Sequence, residues 1–174
     1  MEDNNAQNDP PILPNIASDV EPQYIISLTK FVILGIFSFG WYPIWWSYKA
    51  WRFFNQKDKL KINPALITGI LFLYPLFKYI TYFANTKGIK ANYLASLLCL
   101  CYILSAFLAR FAEEFWFLSF FDFLFFIPAF LALNQAKQYS KEFVVEKQLG
   151  FSKGQKFILV IGSLCLLMII MSLF

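Results

Sequence analysis

Long apolar runs separated by short polar stretches rich in lysine predict most of the architecture of this chain. Five runs stand out, at residues 28–48, 65–83, 93–109, 115–133 and 157–174. Each has the length of a helix that crosses a bilayer, roughly 17–25 mainly apolar residues. The first carries one charge, Lys30, near its start, and the fourth carries only Asp122. The third and fifth carry none, whereas the second holds Pro75 and Lys78. Backbone amides in lipid must bond within their own segment, so the runs are expected to be helices and the fold class all-α. The alternation of polar and apolar residues that marks a membrane β-barrel is missing from them.

Composition supports this reading. Of the 174 residues, 59% are hydrophobic, 21% aromatic and only 15% charged. A soluble domain carries about 25% charged residues, and a chain of this size cannot hide so much apolar surface from water. Residues 1–27 form a separate expected region. They hold Glu2, Asp3, Asp9, Asp19 and Glu21 with four prolines and no base until Lys30. That composition predicts a disordered acidic tail, and residues 28–174 then make a single transmembrane helical domain. The start of the chain has neither the basic region nor the early apolar core of a signal peptide.

The bases set the orientation, because cytoplasmic loops are enriched in Lys and Arg. The first loop holds Lys49, Arg52, Lys57, Lys59 and Lys61, and the stretch before the last run holds Lys137, Lys141, Lys147, Lys153 and Lys156. Five crossings would put these two clusters on opposite sides. A second run that does not cross would reunite them, and Pro75 and Lys78 make it the candidate, since a lysine at bilayer depth costs a few kcal/mol. The expected fold is therefore four spanning helices plus one re-entrant or interfacial helix, with five spans as the alternative. The expected location is the cell membrane, multi-pass, and the bilayer itself is the first partner.

The densest motif follows the first run. Tyr42, Trp45, Tyr48 and Trp51 recur every three residues, interleaved with Lys49 and Arg52. Such aromatic rings favour the headgroup zone, and the cations beside them reach phosphates or stack on the rings. These six residues are the candidate surface for an anionic lipid or a partner protein. The spacing Gly40-x-Tyr42-x-x-Trp45-x-x-Tyr48-x-x-Trp51 resembles the aromatic signature of uncharacterised small multi-span proteins of the bacterial inner membrane. The resemblance continues through Ile62-Asn63-Pro64 and through Pro128 with Asn134-Gln135-Ala136. It implies a bacterial membrane protein and carries no activity with it.

Two further features bear on function. Pro43 and Pro128 each lie late in an apolar run, before a basic stretch and another run, so the chain has the outline of a duplication. In that outline Lys49 and Arg52 align with Asn134 and Lys137. Asp122 lies in mid-run, where an acid is a functional candidate by default and should face the bundle interior. Its expected partners are Lys78, Arg110 or the hydroxyls of Tyr74, Tyr79 and Tyr102. Enzyme chemistry is not expected, because no nucleophile–base pair, phosphate loop or metal cluster is evident. His is absent from the chain, and Cys99, Cys101 and Cys165 read as buried free thiols. No cofactor, metal or nucleic acid is expected. The expectation is a non-catalytic membrane protein that binds anionic lipid or a partner protein through its aromatic-basic cytoplasmic face. The alternative is a small oligomeric transporter or channel that uses Asp122 and Lys78.

Overall fold

The computed structural model describes residues 20–60, 72–111 and 113–172. The elements run β1 (Gln23–Ile25), α1 (Leu28–Phe37), α2 (Trp41–Asp58), α3 (Leu73–Thr86), α4 (Ala95–Phe111), a 3-10 helix (Glu113–Phe126), α5 (Ile127–Tyr139), β2 (Val145–Lys147) and α6 (Lys153–Ser172). Helices dominate, as the apolar runs predict. Among the described residues the only sheet is a parallel ribbon of β1 and β2. Two stretches are long and apolar enough to cross a membrane, Phe120–Tyr139 and Lys153–Met171. Leu28–Phe37 and Ala95–Phe111 are apolar but shorter.

Run 28–48 departs from expectation, because it is two helices and not one span. Ser27 caps α1 by accepting a hydrogen bond from the Lys30 amide at 3.4 Å. After α1, Phe39 (φ 52°) and Gly40 (φ 81°) adopt left-handed backbone and turn the chain. The Ser38 hydroxyl secures this turn, donating to the Gly35 carbonyl at 3.2 Å and accepting from the Tyr42 amide at 2.8 Å. At 1.5 Å per residue, the 10 residues of α1 extend about 15 Å, half of a hydrocarbon core of roughly 30 Å. Among the described residues only two stretches reach membrane length, so four spanning helices are not shown.

The second run is described only from residue 72, so residues 65–71 lie outside the described part. Its remainder, α3, is amphipathic. Leu76, Phe77, Ile80 and Ala84 are fully buried, whereas Lys78 is exposed. That inner face packs on α5 and α4.

The fourth run is a 3-10 helix of 14 residues that continues into α5. Such helices rarely exceed 3–4 residues. Phe117, Phe120, Phe123 and Phe126 supply the reason. Spaced by three, they align in one ridge in a helix of three residues per turn, and Phe123 and Phe126 at its inner end are buried. Gly35 lets α1 lie against this ridge, since a Cβ there would sit 2.7 Å from Phe123 Cγ. Beyond it, Phe31 stacks on Phe130 at 4.2 Å, and Trp46 touches Phe31, Phe126 and Phe130, joining four elements in one aromatic core.

α6 packs mainly on α1. Its Gly162 faces the end of α1 so closely that a Cβ would lie 1.8 Å from the Phe37 carbonyl oxygen. Small residues allow such approaches between membrane helices. The remainder of α6 exposes Leu164, Leu167, Met168 and Met171, an apolar surface that suits lipid better than water.

The two polar stretches pair with each other. Within the region expected as an acidic tail to residue 27, Gln23–Ile25 pairs with Val145–Lys147, and Ile25 and Ile26 are buried. Residues 1–19 lie outside the described part. After run four, α5 ends at Tyr139 and the chain enters β2. Ser152 caps α6, accepting from the Gln155 amide at 3.4 Å.

Candidate functional site

The predicted aromatic stripe does not form one exposed belt. Each step of three residues turns about 300° around a helix, so Tyr42 and Trp51 lie half a turn apart. Both are buried, on opposite sides of α2, at 2% and 3% exposure. Trp45 is exposed and Tyr48 half-buried. Because α2 is enclosed on two sides, the core claims the ends of the stripe. Trp46, which the three-residue spacing passes over, is the more central ring.

The same helix carries Lys49 and Arg52 to the wall of a cavity of about 230 Å³. Asn134 and Lys137 of α5 form the opposite part of the wall, and Gln148 and Gln155 close it from the segment that follows. Aromatic rings of Tyr42, Trp46, Phe53 and Phe130 line its inner side. Three basic side chains therefore meet in one small space, and among the described residues Glu21 is the only acid on its lining. The duplicated outline aligned Lys49 and Arg52 with Asn134 and Lys137 but did not predict that they meet, and it did not single out Lys137 as a site residue.

Lys137 is the most demanding of the three. Its side chain is buried at 8% exposure. The ammonium donates to Gln23 Oε1 at 2.8 Å and lies 4.2 Å from the Phe53 ring centroid. Among the described residues no carboxylate forms an ion pair with it. An amine buried with only a neutral amide and a ring beside it pays a desolvation cost to carry charge, and an incoming anion would offset that cost. Arg52 has a partner, Glu21 Oε1 at 2.6 Å, but both side chains are about half exposed. Such a pair is worth about 0–1 kcal/mol, so another anion can exchange for it. Lys49 lies over the Trp45 ring at 4.0 Å. Partial burial holds its ammonium below the usual lysine range, and the Arg52 charge nearby adds to the effect.

A polar scaffold holds these groups. Lys30 donates to the carbonyls of Gln148 and Leu149 at 2.6 Å each, tying the start of α1 to the chain after β2. Asn134 donates to the Ile26 carbonyl at 3.2 Å. Gln155 is the hub: its amide nitrogen donates to the Tyr42 hydroxyl at 3.1 Å, and its oxygen accepts from Gln148 Nε2 and the Ser152 amide.

Asp122 and Lys78 do not join this site or each other. Asp122 is buried and accepts from the Ser105 hydroxyl of α4 at 2.7 Å. Tyr102, one of its expected partners, lies close enough to feel its charge, but the hydrogen bond goes to Ser105, which went unnoticed in the sequence because a serine in an apolar run carries no charge signal. The bond pins α4 to the 3-10 helix, against which it packs extensively. Lys78 projects outward, with its ammonium 6.0 Å from the Tyr74 ring. Cys99, Cys101 and Cys165 are free thiols, and among the described residues no group of acids and thiols could hold a metal.

Fold and site together define an all-helical protein with two membrane-length helices and a basic, ring-lined cavity where those helices meet their polar connector. A scan against protein-family models finds no match, and searches of curated proteins and of solved structures find none either.

Proposed function

We propose that this is a non-catalytic, multi-pass protein of the bacterial inner membrane that binds the phosphate-bearing headgroup of an anionic lipid at its cytoplasmic face. The observation that carries this reading is the meeting of Lys49, Arg52 and Lys137 around one cavity with a single exchangeable acid. Arg and Lys are the usual ligands of phosphate oxygens, and a basic cluster at a membrane surface attracts anionic lipid at about 1 kcal/mol per residue. The resemblance of the aromatic motif to small bacterial multi-span proteins agrees with this setting.

The location of the cavity supports a membrane-surface role. It lies where α5 ends and α6 begins, the two polar ends of the membrane-length stretches. Lys87 forms an ion pair with Glu142 in the same connector, and Lys57 lies 5.2 Å from the Phe83 ring at the end of α3. The ends of α2, α3 and α5 thus belong to one face, with Arg110 at the far end of α4. The positive-inside rule makes that face cytoplasmic. The end of α1 reaches only Gly162 on α6. That is nine residues beyond Lys153, about 14 Å along the axis. α1 and α2 then form a re-entrant hairpin, and the crossings are α4, the 3-10 helix with α5, and α6. The re-entrant element differs from the one expected. Its return is what brings Lys49 and Arg52 back to the face that holds Lys137.

Native mass spectrometry of the detergent-solubilised protein tests the reading. With phosphatidic acid and phosphatidylcholine supplied in equal amounts, the wild type retains the anionic lipid preferentially. The Lys49→Gln, Arg52→Gln double variant, folded by its thermal transition, loses that preference. Equal retention of both lipids by the wild type would refute the proposal.

A further inference from the structure

A second cavity, about 740 Å³ in volume, runs between the α1–α2 turn and α6. Its lining is dominated by apolar side chains, among them Phe37, Trp41, Phe157 and Ile161, with few polar groups at its rim. It shares Tyr42, Lys49 and Gln155 with the basic cavity. A polar space lined by basic side chains therefore lies directly beside an apolar one, with these three residues between them. The Tyr42–Gln155 hydrogen bond stands at the junction, and Lys49 borders both sides. The volume lies within the range of about 300–1,000 Å³ typical of pockets that enclose small ligands. The third cavity described, lined by residues from Ala91 to Leu98 and by Pro128, shares no residue with either.

We propose that these adjoining cavities act as one site for an amphiphile with a phosphate headgroup and an aliphatic chain. The phosphate lies among Lys49, Arg52 and Lys137, and one chain lies in the groove against α6. This deepens the headgroup reading and rests on it. It adds that the protein, and not only the surrounding bilayer, holds the chain. Charge and polarity match the two halves of such a ligand in order. Phosphate oxygens replace the Glu21 carboxylate at Arg52 and give Lys137 the anion it lacks. The chain covers rings of Trp41 and Trp45 that are otherwise exposed at 73% and 40%. Each buried methylene adds to the transfer free energy, so chain and headgroup contributions separate experimentally.

The test uses the full chain in detergent micelles and three phosphate monoesters: glycerol 3-phosphate, a 1-acyl lysophosphatidate and farnesyl phosphate. Affinity is read by the thermal shift of the protein, and chain position by quenching of Trp fluorescence with a brominated acyl chain. The chain-bearing probes are expected to bind roughly tenfold or more tighter than glycerol 3-phosphate, and the brominated chain to quench. Of the two chain-bearing probes, the tighter one tells whether the natural source is an acyl or a prenyl phosphate. Cys165→Trp, which fills the groove away from the basic cavity, abolishes the advantage of the chain and leaves glycerol 3-phosphate binding intact. Lys49→Gln weakens all three probes. Equal affinity for the three, without quenching, would overturn the groove assignment and leave the headgroup reading standing. No binding of any probe would overturn both.

Discussion

Runs 28–48 and 113–139 share their ingredients. Each is strongly apolar, each contains a proline, and each ends in lysine-bearing residues that reach the same cavity. The first folds back on itself after 10 residues, whereas the second continues through a 3-10 helix into α5. Proline does not make the difference. Pro43 and Pro128 both sit in the first turn of a helix, where the missing amide hydrogen would have no helical partner. The difference lies at Phe39 and Gly40, whose left-handed backbone no residue of the second run adopts among those described. The comparison teaches that hydropathy measures how long an apolar run is, while backbone conformation at one or two residues decides whether it forms one continuous stretch or two helices.

The largest effect is expected where the hairpin leans on α6. Gly162→Leu forces a side chain into the Phe37 carbonyl. It should destabilise the protein by about 3 kcal/mol, seen as a large drop in Tm in detergent. The same substitution at Gly154, where a Cβ meets nothing within 4 Å, should leave Tm nearly unchanged. A small effect at Gly162 would mean that α1 does not rest on α6.

Next in size is the turn itself. Gly40→Val should cost about 2 kcal/mol, because a branched side chain resists φ near 81°. Pro43→Ala and Pro128→Ala should each change stability by less than about 1 kcal/mol. If the prolines prove the more costly, the explanation of the two runs is reversed.

The smallest effect concerns the connector that both basic stretches share. A hydrogen bond from Lys87, followed by its charge, holds the Glu142 carboxyl below the ordinary glutamate value of 4.5. A depressed carboxyl contributes stability that is present above its unfolded value and lost as pH falls through its folded one. The wild type should therefore lose a small increment of stability as pH is lowered below about 4.5. Lys87→Ala should flatten that part of the Tm profile against pH. An unaltered slope would remove the contact from the account.

The sequence revealed these features unevenly. The helical class and the membrane-length stretches followed from uninterrupted apolar runs, because backbone satisfaction in lipid leaves few choices. The break in run 28–48 left a trace in Ser38-Phe39-Gly40, with a hydroxyl to start the next helix, a glycine to turn, and Pro43 in the turn that follows. A hydropathy count does not weigh such signals. Lys49 and Arg52 were found from their aromatic neighbours, but the stripe of Tyr42, Trp45, Tyr48 and Trp51 was misread as one face, since three-residue spacing drifts around an α-helix. Lys137 and Gln155 were harder to see. They join the site only because two apolar stretches meet at their polar ends, a tertiary fact that no local pattern contains. Asp122 was noticed for its charge, and its partner Ser105 escaped for lack of one.

The claim on which the rest depends is that the hairpin returns, so that the two basic stretches share a face. Single cysteines at Gln56 and Gln148, in a chain whose three native cysteines are replaced by alanine, test it directly with a membrane-impermeant thiol reagent. Both positions are expected to resist labelling in intact cells and to react once the membrane is opened. Labelling of one from outside and the other only from inside would contradict the account, because run 28–48 would then cross the membrane.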